Sequence, residues 1–166
     1  RIQSHLTRIP LPLAIKTGND IVRAPMAKLV ILGSGAAVLS KRRKSSCHLV
    51  EIGGSTCLLD CGLGITNISQ TNYDLQKIDH IFISHPHVDH IGFVPWLYKM
   101  GYTGPTYCTA PTRDVGALLC LDSIGVSQKD ATKAIFGSKD VKEMVKHTIT
   151  LEYEEVTDIT PDMRIT

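Results

Sequence analysis

The sequence predicts a mixed α/β fold in which layers of sheet and helix pack together. Short runs of β-branched and aliphatic residues come first, and helical patterns then alternate with further short apolar runs. Such alternation within one chain is typical of a sheet that is covered by helices. With 166 residues, of which 43% are hydrophobic and 20% charged, the chain has the length and composition of one globular domain.

Two segments are expected along the chain. Residues 1–27 are rich in proline and have no sustained period, so we expect an irregular lead-in or the remnant of an upstream domain. The domain itself is expected from residue 28 to residue 166. Its first strands are predicted where apolar residues run between turn residues, at 28–32, 48–52, 56–60 and 79–83. A Gly-Gly pair joins the second and third of these strands into a hairpin.

The second half of the domain is predicted to alternate helices with strands. Helices are predicted at 95–100, 111–123, 127–137 and 138–147, and strands at 106–108, 148–153 and 163–165. Val115, Leu118 and Leu119 share one face of the second helix, which we expect to be its apolar side. Ser127 and Asp130 resemble a capping box at the start of the third helix.

Residues 83–92, ISHPHVDHIG, place four ligand-type side chains directly after a predicted buried strand. His85 and His87 are two apart in extended chain and therefore project to the same side. A neutral imidazole from each could bind one zinc ion at about 2.0–2.1 Å. Asp89 and His90 follow one turn later and diverge from the first pair, so they would serve a second ion better. Two ions about 3.5–4 Å apart can share a hydroxide and hold a phosphate between them.

Simpler interpretations apply to several other residues. A histidine-rich surface turn would explain one HxH pair, but four ligand-type residues at HxHxDH, between an apolar strand and a glycine, favour a metal site. Cys57 and Cys61 flank Asp60 and could be imagined as ligands, although small buried residues at a strand end are the simpler account. The remaining histidines stand alone and receive no role: His5, His48, His80 and His147.

Composition gives only general information about the binding partners and the cellular compartment of the protein. The formal net charge of +2 neither requires nor excludes a polyanionic partner. No apolar run approaches membrane-spanning length, no secretion signal opens the chain, and five cysteines without a CxxC pair favour reduced thiols. We therefore expect a cytoplasmic protein without a membrane partner. The basic run at 41–44 could contact phosphate, but a solvated loop is the simpler account.

The strand that ends in Asp60, followed by HxHxDH, resembles the metallo-β-lactamase superfamily. The blocks GYTGPTYCT at 101–109 and PTRD at 111–114 are similar to its β-CASP nuclease branch. The segments 138–151 and 156–159 look most like the archaeal homologues of the cleavage and polyadenylation specificity factor nuclease. The resemblance implies a layered αββα architecture, of which this chain would hold the N-terminal half and the start of a β-CASP insertion.

The resemblance also implies a role for each matching position. His85 and His87 would ligate the first zinc ion and Asp89 and His90 the second, with Asp89 also taking part in catalysis. Asp60 would support the loop that carries the ligands without binding metal. Family members cut RNA through a zinc-activated hydroxide, as endonucleases or also as 5′-to-3′ exonucleases. The implied protein is a two-zinc ribonuclease of RNA 3′-end processing or transcription termination, with RNA as its partner and a homodimer allowed in the full-length family.

The chain departs from the family pattern at its end. The next family motif, a histidine in a glycine-flanked loop, is expected just after a strand such as 163–166. We therefore expect a fragment that binds zinc weakly and does not cleave RNA alone. Two alternatives stay open. One is another hydrolase of the superfamily, such as a transfer-RNA 3′ nuclease or a thioesterase, and the other is a truncated copy that binds RNA or a partner without cutting.

Overall fold

The computed structural model of the protein describes residues 14–17, 20–23, 27–35, 44–63, 75–161 and 163–166. The strands in this part are β1 Ala14–Thr17, β2 Asp20–Arg23, β3 Lys28–Gly33, β4 Cys47–Ile52, β5 Ser55–Cys61, β6 His80–Phe82, β7 Thr106–Thr109, β8 Thr148–Leu151, β9 Thr157–Thr160 and β10 Met163–Ile165. The helices are α1 Val88–Ile91, α2 Val94–Lys99, α3 Ala110–Lys129 and α4 Ser138–Lys146.

Strands β3 to β8 form one six-stranded sheet whose spatial order follows the order along the chain. Strands β3, β4 and β5 are antiparallel neighbours, whereas β5, β6, β7 and β8 run parallel to one another. Gly53 and Gly54 join β4 to β5 as predicted, with φ of 57° and 80°, the left-handed conformation that a tight hairpin turn requires. Parallel neighbours need crossover connections. Helices α1 and α2 lie on the crossover from β6 to β7, and α3 and α4 on the next.

The helices cover one face of this sheet and form the core with it. One row of paired residues crosses five strands, each at most 3% exposed: Val30, Leu49, Leu58, Ile81 and Thr106. Buried apolar side chains of α1, α2 and α4 belong to the same cluster, among them Ile91, Leu97 and Met144. Burial of this continuous apolar surface is the main force that holds helices and sheet together.

The opposite face of the sheet is also apolar. The adjacent row of paired residues lies on it: Ile31, His48, Leu59, Phe82 and Tyr107. Strands β9 and β10 form an antiparallel pair that lies over part of this face, where Met163 Sδ is 3.7 Å from Cys57 Sγ. The layers are therefore helices, the six-stranded sheet and a further β layer. This confirms the predicted layered α/β fold, while the start of a β-CASP insertion stays a prediction.

Within segment 1–27, β1 and β2 pair antiparallel, with Ala14 opposite Arg23. These strands are regular structure that the expectation of an irregular lead-in did not include. The domain boundary after residue 27 stays a prediction. Of the helices in the described ranges, none is both long enough and apolar enough to cross a membrane.

The predicted helix at 127–137 is wrong, because α3 continues through Lys129. The hydroxyl of Ser127 does not cap a new helix but donates to the carbonyl oxygen of Ser123 at 3.0 Å, one turn back inside α3. Thr132 N donates to Ser127 O at 2.9 Å, and Ala131 has a φ of 52°. These features end the helix, and residues 130–137 form a connection to α4.

The expected apolar side of α3 is also wrong. Val115 and Leu118 are 44% and 66% exposed. The buried positions of α3 are small residues spaced four apart: Thr112, Gly116 and Cys120. A Cβ atom on Gly116 would lie 2.6 Å from Ile91 Cδ1, so α3 approaches α1 too closely for a larger residue to face inward. The helix turns its small face to the core and leaves Val115, Leu118, Leu121 and Val126 exposed, whereas Ile124 packs against the core.

The close packing around Gly62 generates a prediction for stability. A Cβ atom at this position would collide with the backbone carbonyl of Asp89 and would lie 2.5 Å from Ser45 Cβ. Gly62→Ala is therefore expected to lower the free energy of unfolding by about 1–3 kcal/mol, the usual range for overpacking. Gly125→Ala is the control, because a Cβ there meets no atom within 4 Å. It is expected to raise the free energy by about 0.5–1 kcal/mol through helix propensity. Equal changes in the free energy of unfolding of the two variants, measured by urea denaturation, would contradict the close packing at Gly62.

Candidate functional site

The HxHxDH motif lies between the end of β6 and helix α1. Strand β6 runs parallel to its neighbours β5 and β7, so the motif leaves the sheet at the carboxyl ends of these strands. Loops from adjacent parallel strands meet at that edge, which is where α/β proteins form their sites. His85 and His87 stand in the connecting loop, and Asp89 and His90 fall within the four residues of α1. Loop and helix thus carry two predicted ligands each.

Asp60 lies beside the motif near the end of β5. Its backbone φ is 57°, and it is 8% exposed. Its Oδ1 atom accepts hydrogen bonds from Ser84 N at 2.8 Å and from Ser84 Oγ at 3.0 Å. Its Oδ2 atom accepts from His90 Nδ1 at 2.7 Å and from Ser84 Oγ at 2.9 Å. One buried carboxylate therefore connects the residue before the motif to the last residue of the motif.

The bond from His90 to Asp60 determines which ring nitrogen of His90 is free. An ionised carboxylate only accepts hydrogen bonds, so the neutral form of His90 carries its proton on Nδ1 and keeps a lone pair on Nε2. That Nε2 atom lies 3.5 Å from Asp89 Oδ2, which brings the two predicted ligands of the second ion together. Metal-binding histidines commonly donate their other ring N–H to a carboxylate in this way.

The three imidazoles of the motif form one cluster. The ring centroid of His85 is 3.8 Å from that of His90 and 4.9 Å from that of His87. These donor types fit zinc. Within the described part of the chain, however, no three His, Cys, Asp or Glu side chains are arranged to hold one metal ion together. The residues fit the metal in chemistry, but the number of convergent donors is below the three or four of a closed zinc site.

Backbone hydrogen bonds hold the short helix α1 in place. Ser46 N donates to the carbonyl oxygen of Asp89 at 3.0 Å, and Gly62 N donates to Ser46 O at 3.1 Å. Leu63 N donates to Val88 O at 2.9 Å. The segment after β5 and the segment before β4 therefore enclose α1 from two sides. The missing Cβ of Gly62 is what allows this close approach.

Two residues of the site were not predicted as site residues from the sequence. Ser84 directly precedes the first histidine, but its residue type alone did not indicate a role. Ser46 lies at the start of β4, far from the motif in sequence, and its hydroxyl is 3.4 Å from Asp60 Oδ2. Adjacency to HxHxDH is the signal that could have identified Ser84, whereas Ser46 gives no local signal.

The flanking cysteines are buried residues of the strand, as the simpler account expected. Burial raises the pKa of Cys57 to about 11, with a further increase from the charge of Asp79. Burial likewise raises the pKa of Cys61 well above its usual value, helped by a hydrogen bond with Cys47. Their thiols are protonated at neutral pH and pack in the sheet, so the site is made of imidazoles and carboxylates.

A cavity of about 610 Å³ opens beside the site on the second face of the sheet. Asp60, Ser84 and Thr109 lie on its wall near the motif, and Met163 and Ile165 of β10 line another part of the wall. The cavity wall is predominantly apolar side chain with these few polar groups at one end. Of the basic run, residues 41–43 lie outside the described residues, so its contact with phosphate stays a prediction.

Sequence comparison finds similarity to archaeal transcription termination factors. The chain is 45% identical over 130 residues to transcription termination factor FttA of Methanothermobacter thermautotrophicus, an alignment that covers 73% of this chain and 20% of that protein. It is 34% identical over 169 residues to FttA of Pyrococcus horikoshii, covering 91% of this chain and 26% of that protein. The chain thus spans about a fifth to a quarter of the length of these relatives.

Two further comparisons concern the fold and one part of the chain. The family model described as anti-Pycsar protein Apyc1 matches residues 27–105. The metallo-β-lactamase fold protein YhfI from Bacillus subtilis matches with a TM-score of 0.52 at 19% identity, covering 81% of this chain and 49% of that chain. At this identity the likeness concerns the fold alone, and it agrees with the layered architecture described above.

The central position of Asp60 generates a prediction for stability. Asp60→Ala leaves the N–H groups of Ser84 and His90 Nδ1 without their acceptor, and is expected to lower the free energy of unfolding by about 1–3 kcal/mol. Asp114→Ala is the matched control, because that side chain is exposed and pairs with its neighbour Arg113. It is expected to change the free energy by less than about 0.5 kcal/mol. Urea denaturation of both variants measures the difference, and equal losses would show that Asp60 does not organise the site.

Proposed function

The chain is a metallo-β-lactamase-fold relative of the archaeal transcription termination factors FttA, and from this premise we propose that it forms part of a zinc-dependent ribonuclease. The proposed reaction is hydrolysis of an RNA phosphodiester in 3′-end processing or transcription termination. The observation that carries the proposal is the hydrogen bond from His90 Nδ1 to Asp60, at 2.7 Å, inside the HxHxDH motif. It holds an imidazole in the form that metal sites use.

We propose that His85 and His87 hold one zinc ion and that Asp89 and His90 hold a second. Three features support this assignment: the donor types, the clustering of the three rings, and the fixed orientation of His90. Zinc bound there would supply a hydroxide at neutral pH and would neutralise charge on the phosphate.

Asp89 and Asp60 would have different roles in the proposed hydrolysis. Hydrolysis forms a bond between a water oxygen and phosphorus and breaks the bond to one ester oxygen, which leaves with a proton. Asp89, whose carboxylate lies 3.5 Å from His90 Nε2, would orient the attacking water as well as serve as a ligand. Asp60 would not touch the substrate. Its carboxylate accepts hydrogen bonds from Ser46, Ser84 and His90, and its task would be to hold the motif loop.

RNA is the proposed partner because the similar archaeal proteins are transcription termination factors. A homodimer of the complete protein and a cytoplasmic location stay predictions from the family resemblance and the composition. The alternative of a non-catalytic copy is tested by the RNA-cleavage experiment that follows, and the alternative of another superfamily hydrolase stays open.

Zinc binding tests the ligand assignment. The chain is expected to bind zinc weakly, and His87→Ala is expected to weaken the affinity further by about tenfold or more, because it removes one of two donors to an ion. Competition with a chromophoric chelator measures both values. His48→Ala is the control, since His48 lies in β4 with no proposed role. Equal affinities of the two variants would contradict the site.

RNA cleavage tests the function itself. The 166 residues alone are expected to cleave single-stranded RNA below detection, because two ligands for each ion leave both ions under-coordinated. In a chimera, these residues replace the matching segment of FttA of Methanothermobacter thermautotrophicus. That chimera is expected to cleave end-labelled RNA in the presence of zinc, and Asp89→Ala is expected to abolish the cleavage. A folded chimera that cuts no RNA would favour the non-catalytic copy, whereas strong cleavage by the isolated chain would refute the first expectation.

A further inference from the structure

The hydroxyl of Ser84 lies between Asp60 and the first histidine of the motif. Its Oγ atom is 3.0 Å from Asp60 Oδ1 and 2.9 Å from Asp60 Oδ2. The same Oγ atom is 3.0 Å from His85 Nδ1. It also lies 3.4 Å from His90 Nδ1, a longer contact, and His90 already donates to Asp60 at 2.7 Å. Ser84 therefore contacts a fixed carboxylate on one side and, most closely among the motif histidines, His85 on the other.

The single proton of the hydroxyl decides the direction of these hydrogen bonds. A serine hydroxyl donates once and accepts through its lone pairs, whereas an ionised carboxylate only accepts. With both carboxylate oxygens within 3.0 Å, the Ser84 proton goes to Asp60 in a charge-assisted hydrogen bond. The contact with His85 then requires the ring to donate from Nδ1 to Ser84 Oγ. His85 consequently carries its proton on Nδ1 and has a lone pair on Nε2.

We propose that Ser84 is a positioning residue that fixes His85 in the Nδ1–H tautomer. Asp60 then presents the Nε2 atoms of two imidazoles, directly for His90 and through Ser84 for His85. This inference rests on the proposed function, because it assigns Ser84 a task toward the zinc ligands. The two roles of Ser84 are separable: its backbone N–H also donates to Asp60, at 2.8 Å, and this bond is independent of the side chain.

Histidine tautomers in the metal-free chain provide the direct test. Long-range ¹H–¹⁵N correlation spectra at pH ~8.5, where a free imidazole is neutral, distinguish Nδ1–H from Nε2–H. Wild-type chain is expected to show Nδ1–H for both His85 and His90. In Ser84→Ala, His85 is expected to lose its preference and show averaged ring ¹⁵N shifts, while His90 keeps Nδ1–H through Asp60. Ser84→Thr, which retains a hydroxyl, is expected to restore the wild-type spectrum of His85.

Zinc affinity is the second readout. Ser84→Ala is expected to bind zinc about 10- to 100-fold more weakly than wild type, which is the usual cost of losing a partner of a metal-binding histidine. Ser84→Thr is expected to bind zinc with the affinity of wild type. If Ser84→Ala fails to fold, Ser84→Cys replaces it, because a thiol is only a weak acceptor.

The outcomes separate this proposal from the proposed function. An unchanged His85 tautomer in Ser84→Ala, or an Nε2–H tautomer of His85 in wild type, would overturn the role of Ser84. A tautomer that responds to Ser84 in a chain that binds no zinc would support the positioning role and overturn the zinc-dependent function.

Discussion

The Asp60 carboxylate is the point on which the geometry of the site depends. It accepts hydrogen bonds from the residue before the motif and from the last histidine of the motif, and so closes the motif loop around one buried charge. The left-handed backbone at Asp60 costs on the order of 1–2 kcal/mol, because its Cβ crowds the following carbonyl. Hydrogen bonds to a charged group contribute about 1.5–3 kcal/mol each, so these bonds offset the strain.

The sheet and the loops around it turn this interaction into a defined site. Helix α1 has only four residues, too few to be stable alone, and its shape is imposed by the backbone bonds that Ser46 and Leu63 make to it. The absence of a side chain at Gly62 and at Gly116 lets the neighbouring segments approach α1 from both sides. Precise placement of the ligand-type residues therefore depends on small residues that have no chemistry of their own.

The spacing of the ligand-type residues and the resemblance to known proteins point to the same four residues, because both depend on the HxHxDH motif. The loop carries His85 and His87, and the helix turn carries Asp89 and His90, while the assignment of these pairs to two metal ions stays a prediction. The structure adds the close contact of His85 with His90, which links the pairs through their rings. The proposed binuclear site needs such proximity between the ligands of its two ions.

The sequence by itself determined strands β3 to β8 and β10, the Gly-Gly hairpin and the position of the motif after a buried strand. These features are local, because aliphatic runs, paired glycines and ligand spacing act over a few residues. The tertiary structure alone decided which face of α3 is buried, where that helix ends, and that Ser84 and Ser46 surround Asp60. Those features depend on contacts between distant segments, such as the bond from Ser84 N to an aspartate 24 residues earlier. No local pattern encodes which side chain will meet another across the sheet, so ISHPHVDHIG supplies the ligand types while the fold supplies the groups that orient them.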